Sequence, residues 1–358
     1  MINYFFRFLA DNIRRLRNRP SEPFLLNYSI TFRCNLDCKY CGIGRMDNNY
    51  AGEELTLADI SRFLSDPMLK KLKIAVISGG EPFLRDDFND IMLEFQKKVA
   101  PQIFHITSNG YLTGRIIDSV RFLKKYGLNI ELKLSIDDIG DKHDVLRNKS
   151  GCFDRVVDTA HKLRSLFGKN ELYIGINQTI FEENYRSILE VKKLAHSLDA
   201  AYVGFIGLQK RPLHSGAAGV DYGLVKLSTE AREYLMANLK DIYNWRSYFT
   251  NNSKFPEEVI LKHYIKGQVE LLKRAKLAPY SCMSLFSYFR LNPNGDVITC
   301  SYDLDRLGNV KLESYSSILA KEITRDKLMK VKKCGRCWLG CEVSPSWVSS
   351  LFNSIKND

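Results

Sequence analysis

Long apolar runs are missing from this chain of 358 residues; none approaches the roughly 20 residues that cross a bilayer. The N-terminus lacks a secretory pattern too. Arginines interleave with aromatics where a signal would show a charged start and then an apolar block. No internal repeat or low-complexity tract is present, and 45% hydrophobic residues suit a globular protein. Histidine is scarce, six in all and scattered, so the histidines are assigned no role. Acidic residues fall short of basic ones, 41 against 53, which leaves a formal charge of +12. That excess suits an anionic partner: a phosphorylated substrate, a nucleic acid or a membrane surface. No added RNA-binding module is evident, so nucleic acid is the partner not expected.

Cysteine, by contrast, is abundant. Nine cysteines without a secretory signal read as metal ligands in a reducing cytoplasm, not as a disulfide framework. Three stand together in Cys34-Asn35-Leu36-Asp37-Cys38-Lys39-Tyr40-Cys41, directly after the apolar run Phe24 to Phe32. Three thiolates can hold three irons of a [4Fe–4S] cube and leave the fourth iron open to a chelating ligand. A zinc half-site is the competing reading. It wants a fourth ligand nearby, and the next cysteine, Cys152, is far along the chain.

The chain divides by pattern. Residues 1–23 form a first unit. Ile2, Phe5, Phe6, Leu9, Ile13 and Leu16 lie on one helical stripe, with Arg7, Asp11, Arg14 and Arg15 opposite. Two readings stay open: the helix closes the bottom of the protein's own barrel, or it lies in a membrane interface. From 24 to 207, strand-like and helix-like segments alternate. Strands are expected at Leu25–Thr31, Lys73–Ser78, Ile103–Thr107, Ile130–Ile136, Leu172–Ile180 and Tyr202–Ile206. Six β–α units predict an α/β fold with a mostly parallel sheet and outer helices. Residues 208–275 read as a helical connector. Residues 276–345 read as a separate small unit with a strand–turn–strand at Asn292-Pro293-Asn294-Gly295. The tail, 346–358, carries Trp347, Val348, Leu351, Phe352 and Ile355 on one helical face. It suits core packing or a second membrane contact.

The second predicted strand runs into Ser78-Gly79-Gly80-Glu81-Pro82. The CxxxCxxC loop with an aromatic before its last cysteine, and then this GGEP segment, resemble the radical S-adenosylmethionine (SAM) superfamily. The resemblance implies a partial (βα)6 TIM-like barrel with its site at the carboxyl ends of the strands. It implies that Cys34, Cys38 and Cys41 hold a [4Fe–4S] cluster whose open iron binds SAM. An electron from a reductant such as ferredoxin or flavodoxin would then cleave SAM to a 5′-deoxyadenosyl radical, which abstracts a substrate hydrogen. Gly79, Gly80 and Glu81 would receive the methionyl ammonium, with Tyr40 and Pro82 beside them. Ser135 would meet the ribose, and Arg147 the SAM carboxylate or a nearby acid. Asn109 and Asp137 stay open between SAM contact and capping of the following turns. His143 reads as structural.

The late cysteines resemble the SPASM/Twitch extensions of that superfamily. Cys282, Gly295 and Cys300 match its CX9–15GX4C opening, and Cys334, Cys337 and Cys341 follow as a shortened CX2CX3C block. The resemblance implies one auxiliary [4Fe–4S] cluster on Cys282, Cys300 and two of Cys334, Cys337 and Cys341. A zinc ribbon is the alternative. Some relatives carry an aspartate base directly after the cysteine corresponding to Cys300. Here Ser301 stands there and Asp303 lies two residues on, so these two are the candidate catalytic residues. The leading expectation is a cytoplasmic radical SAM oxidoreductase, peripheral at the inner face of the membrane. Its substrate would be a non-protein small molecule, lipid-like or lipid-linked. Alternatives are a maturase of a ribosomal peptide or protein, and a non-catalytic iron–sulfur protein.

Overall fold

The computed structural model describes residues 10–45, 53–207, 209–210, 223–224, 227–238, 241, 282–303 and 305–334. Residues 10–16 are helical (α1). Six strands then alternate with helices: β1 (Leu25–Thr31), α2 (Leu57–Leu64), β2 (Ile74–Gly79), α3 (Phe88–Lys98), β3 (Ile103–Ser108), α4 (Thr113–Lys125), β4 (Ile130–Ser135), α5 (Asp141–Arg147), α6 (Cys152–Leu166), β5 (Tyr173–Ile180), α7 (Ile188–Ser197) and β6 (Tyr202–Gly207). All six strands pair in parallel and in order. The expected alternation of βα units is therefore present.

The strands show why the fold is hollow on one side. In β3 and β4, Phe104, Ile106, Ile130, Leu132 and Leu134 are fully buried and form the main core with the outer helices. The intervening positions are His105, Thr107, Glu131, Lys133 and Ser135. A parallel sheet covered on both faces ordinarily reads as a continuous apolar run. Period-two polarity here marks an inner face lined with polar groups. Among these, Glu131 is held by His105 Nδ1 at 3.0 Å and Lys133 Nζ at 3.2 Å, and its carboxyl lies far below the usual range. Burial opposes that shift, and the charges of His105 and Lys133 drive it.

The C-terminal strands join the sheet of the βα units and do not form a sheet of their own. After a short antiparallel pair, β7 (Gln209–Lys210) with β8 (Gly223–Leu224), and helix α8 (Thr229–Ala237), come β9 (Tyr288–Leu291), β10 (Asp296–Ile298) and β11 (Arg306–Asn309). β9 pairs in parallel with β1, Leu25 to Tyr288 through Tyr28 to Leu291. The result is one nine-stranded sheet, β11-β10-β9-β1-β2-β3-β4-β5-β6. An open barrel leaves the backbone groups of its first strand unpaired; β9 satisfies those of β1. The expected turn at Asn292 to Gly295 joins β9 to β10. Helices α9 (Tyr315–Ala320) and α10 (Glu322–Lys332) follow. Most of the expected connector, the tail with Trp347 and Phe352, and Ile2, Phe5, Phe6 and Leu9 lie outside the described residues.

In α1 the polar face turns inward. Asp11, Asn12 and Arg15 are buried, while Ile13 and Leu16 are 41% and 59% exposed. Asp11 accepts from Ser21 Oγ at 2.7 Å, and Arg15 donates to the carbonyl of Lys332 at 2.9 Å. Of the apolar stripe, only Ile13 and Leu16 are among the described residues, and both are exposed.

Candidate functional site

The cysteine loop leaves the carboxyl end of β1 and returns through a 3-10 turn, Ile43–Arg45. Cys34 and Cys41 are half-buried, Cys38 is buried, and none of the three is in a disulfide. They line a cavity of about 240 Å³ with residues from the carboxyl ends of β1 to β6. Burial pushes the Cys34 thiol up to about 12 and raises Cys38 as well, against the lowering effect of Arg147. Thiolates in such a place need cationic compensation. Among the described residues no three His, Cys, Asp or Glu side chains converge as ligands of a single ion do. The three thiols stand around the cavity instead, and this donor set fits a cluster held by three thiolates.

The end of β2 is clamped to the start of that loop. Gly80 N donates to Thr31 O, and Glu81 N to Arg33 O, both at 2.8 Å. Gly79 has φ +132, which side chains rarely adopt, and a Cβ there would collide with the Thr31 carbonyl; one on Gly80 would strike that of Arg33. Glycine at both positions is thus a packing requirement, and both residues line the cavity. Glu81 and Pro82 lie behind them, buried and off the cavity wall. The Glu81 carboxylate accepts from Asn109 N at 2.8 Å, Ser108 Oγ at 2.9 Å and Phe83 N at 3.3 Å. Burial raises its pKa to about 7, and those three donors only partly oppose it. Among the described residues no cation pairs with it. A fully buried carboxylate with no ion-pair partner among the described residues and only the more distant charge of Arg147 acting on it, one layer behind a glycine edge, fits a ligand that brings an ammonium.

A second network ties the cysteine loop to β4 and α5. Asp137 is fully buried. It takes a 2.7 Å ion pair from Arg147, a hydrogen bond from the Tyr40 hydroxyl, and one from Thr179 N at 2.9 Å. Arg147 also reaches Cys38 Sγ at 3.8 Å and lies 5.8 Å over the Tyr40 ring. Asp137 therefore orients Tyr40 and Arg147, which do line the cavity, as do Asn109 and Ser135. Asn109 caps its own turn by accepting from Tyr111 N at 2.9 Å, and it bridges to Asn35 Oδ1 at 2.8 Å. His143 accepts from Asp137 N at 3.1 Å; burial holds its pKa down to about 2, a neutral structural role. Sequence reasoning missed Asn177, Thr179 and Arg290 in the cavity wall. The available signal was polar residues at the inward period-two positions of apolar strands. Arg290 carried none, because its strand was assigned elsewhere.

The later cysteines are gathered from distant segments. Cys282 N donates to Cys334 O at 2.8 Å, and Ser284 Oγ to Thr299 O, beside Cys300, at 2.6 Å. All three cysteines are half-buried, and none is in a disulfide. The hydroxyls of Ser287, Thr299 and Ser301, in the same segments, are buried with no hydrogen-bond partner among the described residues. Orphaned donors beside a thiol set fit a group rich in sulfide acceptors. Cys337 and Cys341 lie outside the described residues. Neither Ser301 nor Asp303 lines the cavity. Asp303 is held through both oxygens by Lys327, at 2.8 and 2.7 Å, which occupies it in an ion pair.

Comparison with known proteins agrees with this geometry. The family described as the radical SAM superfamily matches residues 28–195, and an iron–sulfur cluster-binding domain, SPASM, matches residues 282–341. The chain is similar to AdoMet-dependent heme synthase of Methanosarcina barkeri, 24% identical over 88% of this chain and 89% of that one. It is also similar to Fe-coproporphyrin III synthase of the same organism, 24% identical over 90% and 82%. Pre-heme d1 synthase of Dinoroseobacter shibae is 29% identical, but over half of this chain and 42% of its own length. Among solved structures, Streptococcus suis SuiB bound to S-adenosylmethionine aligns with a TM-score of 0.62 at 16% identity, over 88% of this chain and 70% of that one. The AdoMet-bound anSMEcpe aligns with a TM-score of 0.59 at 19% identity, over 87% and 81%.

Proposed function

The chain belongs to the radical SAM superfamily and carries a SPASM-type iron–sulfur domain; from that premise we propose that it is an oxidoreductase acting on a small, non-protein molecule with an acidic group. The carrying observation is the shared cavity. Its wall joins the three thiols, the Gly79-Gly80 edge, and Arg290 from the C-terminal strand β9. Bound there, a [4Fe–4S] cluster and SAM supply an electron and a 5′-deoxyadenosyl radical that removes a hydrogen atom from substrate.

The chain's own residues hold and orient. Cys34, Cys38 and Cys41 ligate the cluster, and Arg147, fixed by Asp137, places a cation against Cys38. Gly79 and Gly80 let the main chain approach the ligand. Glu81 offers its charge to the ligand's ammonium, and Asn109 and Ser135 give polar contacts to the rest. Arg290 presents a guanidinium to a substrate carboxylate or phosphate, the geometry that suits it best. Cys282, Cys300 and Cys334, with a fourth ligand from beyond the described residues, hold the auxiliary cluster. The two heme-related synthases align over most of their length, which supports a non-protein substrate. The likeness to SuiB shows the fold alone and favours no peptide substrate. Neither relatives nor cavity support a lipid-linked substrate or a membrane partner. No helix among the described residues is long and apolar enough to cross a membrane.

The test is direct. Anaerobically purified protein with a reductant, ferredoxin or flavodoxin, is expected to convert SAM to 5′-deoxyadenosine. Protein with full iron that neither binds nor cleaves SAM would overturn the reading.

A further inference from the structure

The buried face of α1 meets the C-terminal cysteines. Arg15 donates to the carbonyl of Lys332, the last residue of α10, at 2.9 Å. In return, Lys332 Nζ donates to Asn18 Oδ1 at 2.8 Å and to Leu16 O at 3.4 Å. Ser21 N reaches Leu285 O at 3.5 Å. The first helix is thus fastened on both sides of the cysteine site, to the loop after Cys282 and to the turn before Cys334. Cys282 and Cys334 are themselves joined through the main chain at 2.8 Å. Arg15 is buried at 9% exposure, and among the described residues its Nε has no partner. Among the described residues no carboxylate pairs with it.

We infer that Arg15 is a positioning residue of the C-terminal cluster site: it locks the first helix onto the segment that delivers Cys334 and sets a buried positive charge against that segment. A cation at the carboxyl end of α10 also meets the negative end of that helix. The chemistry follows. A fixed positive charge by a cluster ligand favours the reduced, more negative cluster, and hydrogen bonds and local charge are the known levers on such potentials. The first helix becomes part of the auxiliary site rather than a detachable anchor. This rests on the reading that residues 282–334 help hold a cluster.

The experiment uses the full chain with Cys34, Cys38 and Cys41 replaced by alanine, so that only the C-terminal cluster contributes signal. That parent is expected to hold about four irons. A parent with none overturns the cluster reading, and this inference with it, before any potential is measured. On this background, Arg15→Gln and Arg15→Lys are compared by iron content and by an EPR-monitored redox titration. The expected result is a midpoint shifted to more negative values in Arg15→Gln and a smaller shift in Arg15→Lys. Loss of the iron in Arg15→Gln but not in Arg15→Lys supports the same conclusion. Full iron with an unchanged midpoint in Arg15→Gln overturns it. Equal shifts or equal iron loss in both variants show that charge is not the cause and overturn it too.

Discussion

The two cysteine sites are built in opposite ways. Cys34, Cys38 and Cys41 come from one short loop at the end of β1, whereas Cys282, Cys300 and Cys334 come from three segments joined only by folding. Each site has a buried arginine, and these differ as well. Arg147 at the first site is neutralised by Asp137 at 2.7 Å and touches Cys38. Arg15 at the second leans on a backbone carbonyl. A loop can carry its ligands anywhere and still present them. A site gathered from distant segments needs its supports fastened, and α1 is one of them.

The largest effect expected separates the sites completely. Alanine at Cys34, Cys38 and Cys41 should remove about four of roughly eight irons and abolish 5′-deoxyadenosine formation. Alanine at Cys282, Cys300 and Cys334 should remove the other four and leave substrate-free SAM cleavage measurable. Iron assay and chromatography of the nucleoside read both. If both triple variants lost SAM cleavage equally, the contrast drawn here would collapse.

Next comes the carboxylate that one arginine has and the other lacks. Asp137→Asn leaves Arg147 buried without its counter-ion, an effect of about 3–5 kcal/mol. Urea unfolding should show that loss, together with a disturbed EPR signal from the first cluster and an unchanged one from the second.

The unpaired Glu81 should make the first site pH-sensitive. Its folded pKa is raised to about 7 from an ordinary 4.5, so the fold favours its protonated form. The stability this contributes is fully present below 4.5 and is lost as pH rises through 7. That amounts to about 2.5 kcal/mol lost between pH 5 and pH 8. Glu81→Gln should flatten this dependence, and SAM should stabilise the parent more at pH 8 than at pH 5. A parent whose urea midpoint is the same at both pH values would remove the argument for an ammonium-seeking carboxylate.

The smallest effect blurs the division. Arg290 belongs to the C-terminal segment yet lines the first cavity. Arg290→Gln should leave substrate-free SAM cleavage intact and lower substrate-dependent turnover about 10- to 100-fold, as loss of a charged hydrogen bond of about 1.5–3 kcal/mol would. Product analysis once the substrate is in hand, with isothermal binding, reads it.

Much of this was legible in the chain. Leu25–Thr31 and the five strands after it announced themselves by apolar runs at regular spacing, and the cysteine loop and GGEP segment are contiguous. Arg290 was not legible, because nothing local reveals that Tyr288–Leu291 pairs with β1. Nor was the inward turn of Asp11 and Arg15. Helical periodicity identifies two faces, and the partner decides which is covered.

The sequence by itself determined the elements, the six parallel strands and the three-thiol loop, since these depend on neighbours a few residues apart. Only the tertiary structure decided that Glu81 lies behind the cavity wall, that Asp137 serves Arg147 and Tyr40, and that a C-terminal strand lends Arg290 to the barrel. Burial, charge pairing and sheet edges are properties of residues far apart in the chain, and they exist once the chain has closed on itself.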